Sequence, residues 1–159
     1  MSKYIIFPLV LFILLPVLSG FTMEKEGKFS VKFGWSSKGQ VYEVGPEHVF
    51  FVGEFSGTMF NDKGEGFLNM TSAVCPGSLD INKGMNDTHG YCVITDTDGD
   101  KAYLVWKCKG EKLCNGDQQW TGGTGKYEGI TGNTTLSALP SIGGTQQGYS
   151  IWEGGWKLP

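Results

Sequence analysis

The run Phe29-Ser30-Val31-Lys32-Phe33-Gly34-Trp35 sets a large apolar side chain at every second position and a polar or small one between. Successive residues of a strand face opposite sides, so Phe29, Val31, Phe33 and Trp35 share one face. The pattern predicts a β-strand with that face in a core. Gly39 to Val44 reads as its hairpin partner. His48 to Phe55, with Val and Phe on both faces, reads as a central strand covered on two sides or as part of a barrel wall. Asn61-Asp62-Lys63-Gly64 follows as a turn. Further strands are expected at Gly66 to Val74, Gly90 to Thr97, Lys101 to Lys107, Gly129 to Leu136 and Gly148 to Trp156. Beyond the N-terminal leader no window repeats at helical spacing, so the expected class is all-β.

Upstream of the first strand the pattern changes. Lys3 precedes an almost unbroken apolar run from Ile5 to Leu18, which gives way to Ser19-Gly20 and then Met23-Glu24-Lys25-Glu26. This is the layout of a secretory signal peptide. Val17 and Ser19 suit the positions before a signal peptidase cut, making residues 1–19 the leader and 20–159 a single mature domain. The competing reading, an uncleaved anchor, falls short of the roughly 20 apolar residues that cross a bilayer. The expected location is therefore secreted or periplasmic, with no membrane span after cleavage.

Roughly 140 mature residues make one domain of ordinary size with room for a core. The net charge is −3 and all 13 basic residues are lysines, so no guanidinium fork is available for bidentate capture of phosphate. Nucleic acid is a poor partner for such a chain. Glycines and aromatics are plentiful, and no stretch after the leader is low in complexity or repeated, as expected of a folded chain.

Four cysteines follow the leader, Cys75, Cys92, Cys108 and Cys114, and an even count in an oxidising compartment reads as two disulfides. The segment from Lys107 to Cys114 is a polar link between strand-like runs, which favours Cys108 with Cys114 and leaves Cys75 to meet Cys92. Zinc is the competing reading. It needs close pairs such as C-x-x-C, which are missing, and His48 and His89 lack the spacing of a metal helix. No metal and no cofactor is expected.

Two loops invite sharper readings. Asp96-Thr97-Asp98-Gly99-Asp100 resembles the start of a calcium loop, but the twelfth position is Lys107 where an EF-hand needs a glutamate. A tight hairpin using Asp-Gly is the preferred reading. In Gly122-Gly123-Thr124-Gly125-Lys126-Tyr127, a phosphate-binding loop would need glycine at Trp120 and Ser or Thr at Tyr127. Glycines that let strands pack closely at a barrel corner, with Tyr127 as a plug, account for the run without a nucleotide.

The whole stretch Trp120-Thr121-Gly122-Gly123-Thr124-Gly125-Lys126-Tyr127-Glu128-Gly129-Ile130-Thr131-Gly132 resembles the glycine-plus-aromatic segment of the allene oxide cyclase and dirigent-like barrels. Val52-Gly53-Glu54-Phe55-Ser56-Gly57, Val74-Cys75-Pro76-Gly77, Gly90-Tyr91-Cys92, Thr97-Asp98-Gly99-Asp100-Lys101 and Leu104-Val105-Trp106-Lys107-Cys108 are similar to landmarks of small exported bacterial proteins with no assigned activity. The resemblance implies a single closed antiparallel barrel of about eight strands, lipocalin-like in architecture. It carries no catalytic residue across.

A barrel of this size either fills with side chains or holds one small ligand. Trp35, Phe50, Trp106, Trp120, Trp152 and Trp156 supply more large rings than such a core usually needs. Ligand pockets combine aromatic walls with a few polar groups, so the expected partner is a small apolar molecule touched by Phe50, Glu54, Trp106, Tyr127 and Trp152. Two placements stand for Glu54, beside the ligand or outward to water, and plain core packing competes for the tryptophans.

A cyclase or isomerase is an alternative, with Glu54, Tyr127 or Asp96 as a proton-transfer group whose affinity shifts on desolvation. No Ser-His-Asp, Cys-His or paired-carboxylate arrangement is recognisable, and bonded cysteines are not nucleophiles. The reading therefore leans away from catalysis. A third class is an envelope protein with a solid barrel, acting through its surface and open to oligomerisation. Asn-x-Thr sequons at Asn69, Asn86 and Asn133 matter only in a eukaryotic secretory pathway, and the bacterial resemblance leaves them unmodified.

Overall fold

A computed structural model describes residues 24–139 and 146–159. The expected leader and its cleavage site lie outside them. Eight strands follow in order: β1 (Glu26–Gly45), β2 (His48–Asn61), β3 (Thr71–Asn82), β4 (Met85–Thr95), β5 (Lys101–Gly110), β6 (Cys114–Gly123), β7 (Asn133–Leu139) and β8 (Gln147–Lys157). Each pairs antiparallel with the next, and β8 closes on β1, so the sheet is a closed barrel. Among the described residues the helical content is one 3-10 turn, Gly125–Tyr127. Among the described residues no helix is long and apolar enough to cross a membrane.

The opening alternation does position the core. Phe29, Val31 and Phe33 are buried, with Trp35 packed against them, while Lys32 and Gly34 face out. Across the barrel seam Val31 lies opposite Trp152 of β8, and on the other side Phe33 lies opposite Met59 of β2. Full burial of such side chains contributes about 1.5–3 kcal/mol each.

Several expected strand limits move. Gly39 to Val44 is no hairpin partner but the continuation of β1, whose partner is β2 throughout. Gly39 lies extended beside Gly53, and the chain reverses only at Pro46 and Glu47, the latter at φ 53°. The strand expected from Gly66 begins at Thr71, because residues 62–70 fold as a turn that drives Phe67 and Leu68 into the barrel. The strand expected from Gly129 begins at Asn133, and β6 was not anticipated, because its inward residue Gln118 hides the alternation.

Both disulfides join the expected partners, Cys75 to Cys92 and Cys108 to Cys114. The first lies between the register pairs Val74–Val93 and Gly77–Gly90, directly across β3 and β4. Pro76 does not end β3. It takes no ladder partner on β4, as a residue without an N–H must.

One end of the barrel is shut by aromatic packing. Phe67 stacks on Trp156 at 4.7 Å and meets Trp120 and Tyr127 edge-on at 5.7 and 6.1 Å. Asn61 Nδ2 donates to the Phe67 carbonyl at 2.8 Å, holding the plug in place. Asp96 to Asp100 forms the β4–β5 hairpin turn, with Gly99 at φ 90°. Lys126, beside Tyr127, pairs with both Asp96 and Asp98 at 2.6 Å and so clamps that turn to the 3-10 segment.

Candidate functional site

The other end keeps a hollow. Inward positions of all eight strands surround a cavity of about 70 Å³. That exceeds the room one water needs, roughly 10–15 Å³, and falls well below the ~300 Å³ of pockets that enclose drug-sized ligands. It is also under half of the roughly 150 Å³ apolar cavity that encloses benzene, so the space takes the end of a longer molecule or part of a small ring, with the rest reaching out of it.

Its walls are mostly aromatic. Trp35 meets Phe55 edge-on at 5.1 Å, Phe55 meets Trp106 at 6.1 Å, and Phe33 meets Trp152 at 5.5 Å. Glycines make this possible. A Cβ on Gly77 or Gly90 would stand 2.7 or 2.8 Å from Trp106 Cζ2, and one on Gly148 would stand 2.3 Å from Trp35 Cζ2. The rings therefore lie flat on bare backbone, and both disulfides join them in the wall.

The polar groups of the lining are Asn86, Thr88, Gln118 and Ser150, with the indole N–H of the tryptophans. Asn86 Nδ2 donates to the carbonyls of Gly110 and Glu111 at 3.0 and 3.2 Å, fastening β4 to the β5–β6 turn. The Thr88 hydroxyl lies 3.0 Å from Cys108 Sγ. Trp152 Nε1 donates to Ser150 Oγ at 2.8 Å, and the Thr134 hydroxyl donates to Gln118 Oε1 at 2.6 Å. Trp106 Nε1 and Gln118 Nε2 are buried without a partner among the described residues. Among the described residues of the lining there is no acid, base or free thiol, its four cysteines being bonded in two pairs.

Of the residues expected to touch a ligand, Trp106 and Trp152 line this cavity. Phe50 and Glu54 do not. Phe51, Phe55 and Met59 are the inward set of β2, which turns Phe50 half-buried along the outer wall and leaves Glu54 exposed between Lys38 and Pro76. Apolar residues on both faces of His48 to Phe55 conceal that period. Tyr127 is buried at the shut end, away from the cavity. There desolvation above all, with the Asp96 carboxylate beside it, pushes its phenol far above the ordinary range. Asp96 lies at that end as well, in the hairpin clamp.

The lining residues missed include Phe55 and the polar Asn86, Thr88, Gln118 and Ser150. For Gln118 the signal was present, two positions before Trp120 on the same strand face.

No family model and no curated protein matches the chain. Among solved structures it is similar to that of the pterocarpan synthase dirigent protein GePTS1. The TM-score is 0.53 at 14% identity, over 91% of this chain and 96% of that one. The shared feature is the fold, a closed antiparallel β-barrel. Its particular form in this chain has two disulfides in the wall, one end plugged by rings and a small apolar cavity toward the other.

Proposed function

We propose that this protein is an exported binder of a small, mostly apolar molecule held in the barrel. The observation that carries this reading is the cavity itself, walled by aromatic rings from several strands and furnished with a few neutral polar groups. Such a combination binds and orients apolar ligands. The neighbouring fold supports it, since that structure's name describes a synthase among the dirigent proteins. Two disulfides and the N-terminal apolar run support export as a single mature domain from residue 20.

Binding is favoured over a cyclase or isomerase activity because acid–base catalysis needs a titratable group within hydrogen-bond reach of the substrate. The cavity lining offers none. The test is benzene binding, read from the indole N–H resonances of Trp106 and Trp152. Saturable shifts are expected in the native protein and none in Ala138→Phe, whose added ring fills the cavity. A native protein that admits no benzene overturns the reading in favour of a solid barrel acting through its surface.

A further inference from the structure

Trp106 and Gln118 form a register pair across β5 and β6, and both turn inward. Their side chains part. The Trp106 ring leans over Gly90 and Gly77 on one side, while Gln118 reaches the other way to the hydroxyl of Thr134. Each then retains a buried nitrogen with nothing to donate to, although Trp106 is only 8% and Gln118 2% exposed. Buried polar groups in folded proteins are nearly always paired, so two orphans in one cavity wall are a specific deficit. An indole N–H can only donate, which sets the sign of the missing partner. Neither nitrogen has an acceptor among the described residues.

The charge of that acceptor follows from the rest of the lining. Its described residues include no cation, and a carboxylate or phenolate moved there from water would lose several kcal/mol of solvation with no counter-charge to offset it. A neutral oxygen with free lone pairs, as in a ketone, loses far less and regains its hydrogen bond from the wall. Around it Phe55, Trp35 and Trp152 provide flat apolar surface, and the hollow admits the oxygen-bearing part of a small ring, with the rest reaching out of it.

We infer that the cavity selects a neutral ring compound bearing a carbonyl-type oxygen, which accepts from Trp106 Nε1 with the Gln118 amide as second donor. This rests on the binding reading above and assigns it a ligand class. The experiment compares cyclohexanone with methylenecyclohexane, two neutral rings of nearly equal shape, in the native protein and in Trp106→Phe and Gln118→Met.

The ratio of ketone to alkene affinity is expected to fall about tenfold in Trp106→Phe and by a smaller factor in Gln118→Met. In the native protein the Trp106 indole N–H resonance is expected to move downfield with the ketone and not with the alkene, a readout independent of how the variants fold. Equal ratios in all three proteins, with no difference in that resonance, would overturn the ligand class while leaving cavity binding intact. Failure of both compounds to enter the native barrel would remove the binding reading and this inference together.

Discussion

Gly90 has no room for a side chain. A Cβ there would lie 2.3 Å from the Pro76 carbonyl oxygen, 2.8 Å from Gly77 Cα and 2.8 Å from Trp106 Cζ2. Two of those neighbours are backbone, which cannot yield as a flexible side chain does. Gly90→Ala is therefore expected to destabilise the barrel by about 1–3 kcal/mol, the usual cost of overpacking, and to tilt Trp106 into the cavity. Urea unfolding measures the first effect and benzene binding the second. At this scale the sequence was only partly legible. Trp106 and Trp152 were readable as rings in excess of a core, and they line the hollow. Glu54 was not, because its neighbours Val52 and Phe55 are both apolar and only the pairing register tells which of them turns inward.

Among elements, the decisive contact joins the β4–β5 hairpin to the 3-10 turn. Burial acts to raise the Asp96 carboxyl, but the bonds it accepts from Lys126 and from the backbone N–H groups of Asp98 and Asp100 outweigh that and hold it below the ordinary range. Its side chain is only 5% exposed, so solvent screens the pair weakly. A carboxyl with a lowered folded value stabilises above its unfolded value and loses that contribution as pH falls through the folded one.

Wild-type stability should accordingly decline on acidification below about pH 4, the ordinary carboxylate range. Asp96→Asn should cost about 1–3 kcal/mol at pH 7, the usual loss for a buried polar group robbed of its partner. The gap between the two proteins should narrow toward pH 3. Thermal melts of both at several pH values check this, and a constant gap would contradict it. The Asp-Gly signal identified the hairpin from sequence alone, since Gly99 supplies the positive φ that such a turn needs. The Lys126 clamp was invisible there, because its partners lie 28 and 30 positions upstream.

For the whole molecule, two disulfides tie adjacent strands and border the same cavity. They span 17 and 6 positions of sequence. If disulfides act mainly by restricting the unfolded chain, losing Cys75–Cys92 should cost about 3 kcal/mol and losing Cys108–Cys114 about 2 kcal/mol. Paired Cys→Ala variants unfolded in urea would test that order. Either change should also enlarge the cavity, so that benzene binding shifts without any residue on the outer wall being touched.

The amino-acid sequence by itself determined the all-β class and favoured one of three disulfide pairings, since strand alternation, cysteine context and turn chemistry are local properties, while the closed barrel came from the resemblance of the glycine-rich segment. Only the tertiary structure decided which residues meet in the cavity. Gln118, Trp106 and Gly90 belong to three strands and come together through barrel closure and register, where a shift of one residue would turn each of them to the opposite face.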